Sequence, residues 1–275
     1  MKNRKLITAI GAIAIAALAL TGCASSGQAP AEGGDSSNEL NLITPGQLRV
    51  GIDTVSKPFA YAEGDDFKGF DVELMTHMAE SLELTPEFVG MEFASLLPSI
   101  QNGQLDTVSS AVSINEERKK NVDFSDGYFI AYYTVMTIDG SGITDEASLK
   151  GKKVGVLQGT FQDKWATEHF EGAEIVRFTD HNLTFAALKN GTIDAQFFDL
   201  AVANEYVADN PDMALEFAFD VPAEDSPHGF PVKKGNDALR EALNGALADA
   251  IADGTYQELF EKYFPGQPMD DRFKA

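Results

Sequence analysis

The chain has 275 residues, with 21 basic against 43 acidic side chains, a formal net charge of −22 and a single cysteine. So acidic a protein is repelled by nucleic-acid phosphates and anionic membrane faces, which argues against both as partners. One cysteine rules out an internal disulfide framework, while 44% hydrophobic residues suffice for a packed core.

Lys2, Arg4 and Lys5 precede an apolar run from Leu6 to Leu20, which leads directly into Thr21, Gly22 and Cys23. This is the pattern of a signal peptide. The run holds 15 residues, short of the ~20 that a membrane-spanning helix needs. The sequence LTGC resembles the lipobox of bacterial lipoproteins, in which cleavage before the cysteine leaves it lipid-modified at the new N-terminus. The alternative is a secreted protein with an incidental cysteine. Residues 1–22 are therefore expected to be a signal peptide, and residues 23–39 a lipidated N-terminus, at Cys23, with a flexible tether. The stretch ASSGQAPAEGGDSSN has too little apolar content to pack. Loss of residues 1–22 leaves 18 basic residues against 43 acidic, a net charge of −25.

Further along, strands are predicted at Leu48 to Ile52, Glu87 to Val89, Thr107 to Val112, Lys153 to Leu157, Glu174 to Phe178 and Ala195 to Phe198. Helical patterns lie between them. In Asp71 to Leu82, Val72, Met75, Ala79 and Leu82 share one face, with Asp71 as the predicted N-cap. Strands alternating with helices imply an α/β fold with largely parallel sheets. Asn115 reads as an N-cap that starts a helical turn through Glu116, Glu117 and Arg118. A helix N-terminus carries partial positive charge and favours anions. An arginine there breaks that rule, and its five fixed donors suit a carboxylate arriving from outside. The plainer reading is a surface arginine paired with Glu116 or Glu117.

The chain also repeats itself. LLPSIQNGQLDTV, ending at Val108, echoes FAALKNGTIDAQF, ending at Phe197, with Asn102 and Asn190 separated by 88 residues. Each reads as a helix, an Asn-Gly C-cap, an apolar residue, an aspartate and a strand. RVGI at Arg49 to Ile52 likewise matches VGVL at Val154 to Leu157. Two lobes of related architecture explain both echoes. Ligands of open α/β sheets bind beyond the carboxyl ends of the strands. There one lobe presents Ser109, Ser110, Ser113 and Arg118, and the other presents Asp199. Donors opposite a carboxylate match a zwitterion, with its carboxylate on Arg118 and its ammonium on Asp199. As an isolated residue, Asp199 also suits a helix cap or a solvated loop.

GFDVELM at Gly69 to Met75, SLLPSIQNGQLD at Ser95 to Asp106, SAVSINEERKKNVDFSDGYF at Ser110 to Phe129, LKGKKVGVLQGT at Leu149 to Thr160 and DGTYQELFEKYF at Asp253 to Phe264 stand in one order. Together they resemble the polar amino acid binding proteins of ABC importers, the bacterial extracellular solute-binding proteins of family 3. The resemblance runs from about Leu42 to Phe264. It implies a two-lobe, type II periplasmic-binding-protein-like fold, each lobe a mostly parallel sheet flanked by helices and joined to the other by two hinge strands. The lobes implied are residues 40–134 plus 231–275, and residues 135–230, with crossings near Tyr133 to Thr137 and His228 to Lys233.

The resemblance places the carboxylate-binding arginine at Arg118 and a serine-containing loop at Ser110 to Ser113. A Gly-Thr turn falls on Gly159 and Thr160, the ammonium-binding aspartate on Asp199, and a ligand-packing aromatic on Phe93, for which the alternative is a core position. It further implies an extracytoplasmic, lipid-anchored monomer that captures a polar amino acid and hands it to ABC permease subunits, with no cofactor, metal or nucleic acid. Two positions depart from the pattern: Ser56 stands where many relatives carry an aromatic residue, and Phe161 where many carry a second Thr or Ser. Lys57 is a candidate contact for an acidic or amide side chain.

Hydrolase motifs such as G-x-S-x-G, H-E-x-x-H and the P-loop are absent from the sequence. His77, His169 and His181 read as surface or amphipathic residues, and His228 lies near a hinge. An enzyme on the same fold, similar to cyclohexadienyl dehydratases, and a ligand-presenting sensor are the alternative functions.

Overall fold

The computed structural model describes residues 39–221 and 227–275. The expected signal peptide, Cys23 and residues 24–38 of the expected tether lie outside the described residues.

The first sheet starts from β1 (Gln47–Ile52), whose Leu48, Val50 and Ile52 are fully buried, as befits an interior parallel strand covered on both faces. Its partners are β5 (Thr85–Gly90) and β6 (Thr107–Val108), both parallel to it. The sheet continues through β13 (His228–Lys233) to β7 (Val122–Phe129), giving the order β5-β1-β6-β13-β7. A small antiparallel sheet of β2 (Val55–Ser56), β3 (Ala60–Glu63) and β4 (Asp66–Lys68) lies between β1 and helix α1 (Phe70–Ser81) in the chain.

The second sheet repeats the plan with β9 (Lys153–Leu157), β10 (Glu174–Phe178), β11 (Ala195–Asp199), β8 (Tyr133–Ile138) and β12 (Leu215–Val221), in the order β10-β9-β11-β8-β12. In each sheet the fourth strand, β13 or β8, pairs antiparallel with both neighbours while the other pairings are parallel. The two lobes of the α/β fold are these two sheets with their helices. The chain leaves the first sheet after Phe129 and enters the second at Tyr133, so the first passage lies at residues 130–132. It returns before His228.

The echoed segments occupy matching places. Helix α2 (Phe93–Gln101) ends at Asn102 with Gly103 at φ 70°, and α4 (His181–Lys189) ends at Asn190 with Gly191 at φ 75°. Both are left-handed C′ glycines that let the chain turn into β6 or β11. Gly51 and Gly155 also correspond, in β1 and β9, each where a side chain would clash. A Cβ on Gly51 would lie within 3.0 Å of Leu105 and Leu96, and one on Gly155 within 2.6 Å of Ile193 and Thr184.

Helix α3 (Phe161–His169), α5 (Leu200–Asp209), α6 (Asp237–Ala252) and α7 (Thr255–Tyr263) complete the set. The last of these seals the first lobe. Tyr256 donates from its hydroxyl to the Tyr128 carbonyl at 2.6 Å, and Phe260 and Phe264 join Phe59, Phe70 and Phe129 in one aromatic cluster.

Three local expectations change. Asp71 does not cap α1; Gly69 takes the N-cap position, and the Asp71 carboxylate, fully buried, accepts from Ala111 N at 2.6 Å and Tyr128 Oη at 2.7 Å. The strand predicted to reach Val112 ends at Val108, and Ala111, within the predicted span, takes a positive φ of 50° that no strand residue adopts. Asn115 does accept from the Arg118 N–H at 2.9 Å, but only a 3-10 turn, Arg118–Lys120, follows before β7 begins. That turn is too short to carry the dipole expected of a helix.

Candidate functional site

Between the sheets lies a cleft, and its geometry begins with Arg118. The residue is only 8% exposed, and burial pulls its guanidinium down to about 10 from the usual value. Nη1 donates to the Ser113 carbonyl at 2.7 Å, within its own lobe, and Nη2 donates to the Gly159 carbonyl of the other lobe at 3.0 Å. Its Cζ lies 5.6 Å from the centre of the Phe93 ring, a cation–π distance. Gly159 has φ 78°, and a Cβ there would touch Ala94 at 3.4 Å, so the lobes meet closely at this turn.

Next to the cleft's outer opening lies a narrow inner pocket, with Ser110, Ser113, Phe93, Thr160, Phe161 and Asp199 in its walls. All six residues singled out for ligand contact thus stand around one cleft, with Arg118, Phe93 and Thr160 on its outer opening.

Their hydrogen bonds differ. Ser110 Oγ accepts from the Asp53 N–H at 2.9 Å, and Ser113 Oγ lies 2.9 Å from the Tyr133 hydroxyl. Thr160 caps α3, accepting from the Asp163 N–H at 3.2 Å while its hydroxyl donates to the Leu157 carbonyl at 2.7 Å. Asp199 stands at the end of β11; Gln162 Nε2 donates to its Oδ2 at 2.7 Å, and its Oδ1 is buried without a partner. It occupies the N-cap position of α5 but caps nothing with its side chain. A carboxylate with one oxygen left over is what a cation entering the cleft would need.

Several neighbours are not distinguished by local sequence. Tyr133 is fully buried, and its phenol is raised by burial first and by the Asp199 charge second, which keeps it neutral beside Ser113. Phe161 stacks on it at 4.6 Å, so the departure at this position adds an aromatic wall in the second lobe. His181, which reads in the sequence as a surface or amphipathic residue, is 5% exposed and lines the inner pocket; burial lowers its imidazole, so it is neutral at pH 7. The signal that could have found it is its place directly after the Asp180 cap of α4, on the strand-end side of the second sheet. Asp53 lies behind Ser56, whose Oγ donates to it at 2.5 Å, and burial raises its carboxyl to about 6. Lys57 does not face the cavity; it pairs with Glu205 and Asp209 of α5. His77 is half-buried next to Asp253, and His169 is exposed and stacked on Trp165. Among the described residues no cluster of His, Cys, Asp and Glu is arranged to hold a metal, and no helix is long and apolar enough to cross a membrane.

Known proteins share this architecture. The chain is 35% identical over 231 residues to a histidine-binding periplasmic protein of Salmonella typhimurium, covering 80% of this chain and 88% of that one. Among solved structures, an ancestral arginine-binding protein bound to arginine superposes with a TM-score of 0.76 at 36% identity, covering 80% of this chain and 98% of that one. An ancestral amino acid-binding protein that is a precursor of cyclohexadienyl dehydratase gives 0.75 at 33% identity, covering 83% of this chain and 99% of that one. The model of the bacterial extracellular solute-binding proteins, family 3, matches residues 48–266. With that match spanning most of both lobes, the chain belongs to the family 3 extracellular solute-binding proteins.

Proposed function

We propose that the protein captures a polar amino acid in the cleft between its lobes and delivers it to the membrane subunits of an ABC importer. The observation that carries this reading is the pairing of a buried arginine and a half-satisfied aspartate in one cleft. Arg118 uses two of its five donors on carbonyls, and Asp199 Oδ1 has no hydrogen-bond partner. The α-carboxylate takes Arg118, the Ser110 to Ser113 loop and the Gly159–Thr160 turn; the α-ammonium takes Asp199; the side chain lies against Phe93 and Phe161. Closure follows because a ligand touching both lobes binds the closed state better than the open one.

In this reading the lobes part a few residues before the expected boundaries at 134 and 230, ahead of β8 at Tyr133 and ahead of β13 at His228. The mature chain is a monomer held outside the cytoplasmic membrane by a lipid on Cys23. Relatives named for histidine and arginine put amino acids with nitrogen-bearing side chains first among ligands.

A thermal-shift screen of the purified protein against the common amino acids tests this. At ~100 times its dissociation constant, the ligand adds about 2.7 kcal/mol of stability. Stabilisation by a few polar amino acids, abolished in Arg118→Ala, is expected; no response to any amino acid sinks the reading. The neighbour that is a dehydratase precursor makes turnover of a cyclohexadienyl substrate the second assay, and binding without turnover is expected.

A further inference from the structure

His228 opens β13, the strand by which the chain returns to the first sheet, and it is fully buried. Its ring is clamped on several sides. Phe129 stacks on it at 5.5 Å and 18°, Phe59 meets it edge-on at 5.4 Å, and the Tyr128 ring lies at 6.3 Å. Its backbone bridges to Ser113 of the cleft loop. Yet Nδ1 and Nε2 are both buried with no hydrogen-bond partner. A buried imidazole with two unmet polar atoms costs free energy, since a phenyl ring would fill the same aromatic cage without that cost.

The groups around it explain why an imidazole stands there. Nε2 lies 3.6 Å from Asp199 Oδ1, the same oxygen that Gln162 leaves free. Asp71 of α1 is also near enough for a charge on the imidazole to act on its carboxyl, and Asp71 Oδ1 is unpartnered as well. Of the remaining polar groups packed here, the Tyr128 hydroxyl is committed to Asp71 and the Tyr133 hydroxyl is paired with Ser113. A separation of 3.6 Å is longer than a hydrogen bond and short enough to become one with a small movement of the carboxylate. Contacts of this kind tighten when the ligand arrives.

Resting on the binding reading above, we infer that His228 is a positioning residue: fixed in the hinge, it holds the Asp199 carboxylate from behind, aimed at the ligand's ammonium group. Gln162 steadies one oxygen from the second lobe, and the imidazole steadies the other from the hinge. The aspartate is then set for an amine when the lobes are together, and its aim depends on the hinge as well as on its own lobe.

The test measures affinity for the tightest amino acid of the screen and for the same acid lacking its α-amino group: guanidinovalerate for arginine, imidazolepropionate for histidine. His228→Phe keeps the aromatic packing and removes both nitrogens; His228→Gln restores a donor near the position of Nε2. H228F is expected to weaken the amino acid at least ~10-fold and the desamino acid less than ~2-fold, with H228Q recovering most of the loss. In the D199N background, H228F is expected to cause no further loss. Equal weakening of both ligands, or an undiminished loss in the D199N background, overturns the inference and leaves amino acid binding intact. Wild-type protein that binds no amino acid overturns the binding reading and this one with it. Should H228F not fold, the ¹⁵N resonances of the wild-type His228 ring decide: a shift on adding the amino acid is expected, and unchanged resonances overturn the assignment.

Discussion

Lys57 Nζ lies 3.0 Å from a Glu205 carboxylate oxygen and 3.2 Å from Asp209, an ion pair that ties the loop after β2 to α5 of the other lobe. Lys164 and Glu117 form a second cross-lobe pair at 3.2 Å. Both pairs exist only while the lobes are together. Exposed pairs contribute about 0–1 kcal/mol, so Lys57→Ala is expected to speed ligand release by up to ~5-fold at low salt. In ~1 M salt, where the screening length falls to about 3 Å, the difference disappears. Stopped-flow release measured at both salt concentrations checks this, and a rate difference that survives high salt counts against the pair as a latch.

Arg118 matters to the ligand more than to the fold. Arg118→Ala removes the planar donor fork and is expected to weaken amino acid binding by at least ~100-fold, as the loss of a charge-assisted pair in a buried site does. Arg118→Lys keeps the charge but not the fork, and recovers only part of the affinity. Without ligand, Arg118→Ala costs about 1–3 kcal/mol of stability, from the carbonyl left unpaired at Ser113. Calorimetry for binding and denaturant melts for stability separate the two; an unchanged dissociation constant would remove Arg118 from the site.

The buried carboxyl of Asp71 is raised to about 6, mainly because burial penalises its charge, with hydrogen bonds from Tyr128 and Ala111 opposing. A carboxyl whose folded value is raised binds its proton more tightly in the native state. The stability it contributes is therefore full below about pH 4 and is lost as pH rises through 6. A rise from 3.8 to about 6 corresponds to a free energy on the order of 3 kcal/mol. Asp71→Asn mimics the protonated form, so its stability relative to wild type is expected to improve between pH 4 and 7. Melting temperatures of both proteins across that range give the answer, and a constant difference would mean that Asp71 does not titrate there.

Gly51→Ala and Gly155→Ala place the same methyl group at matching points of the two sheets, against Leu105 and Leu96 in one and Ile193 and Thr184 in the other. Overpacking of this kind costs about 1–3 kcal/mol. Each variant is expected to melt about 2–12 °C lower, since a domain of this size loses about 2–4 °C per kcal/mol. Equal drops would confirm that the internal repeat extends to core packing; a neutral variant would show that one lobe can give way.

How far the sequence carried depended on how local the cause was. Strands Lys153–Leu157 and Glu174–Phe178 have the residues expected of them, because buried apolar runs bounded by turn residues declare themselves within a few positions. The Asn-Gly helix ends were legible for the same reason. Asp71 was not: it obeys the local rule for an N-cap, while its real partners lie 40 and 57 residues away. His181 and Tyr133 look ordinary in their own elements and reach the cleft only through sheet register and lobe closure. Arg118 stands out in the sequence by its place at a predicted helix start; the structure has one 3-10 turn there, too short for a helix dipole, and the arginine is buried in the cleft.

The placing of β13 bears on the order in which the protein can assemble. All the strands of the second sheet come from one unbroken stretch, residues 133–221, whereas the first sheet waits for residues 228–233 to fill the place between β6 and β7. As the chain emerges N-terminus first, the earlier-made lobe is the one finished later, and the inserted lobe can close its core ahead of it. Until then the first lobe exposes two unpaired strand edges where β13 belongs, and a chain cut short before that strand carries a gap in the middle of its sheet.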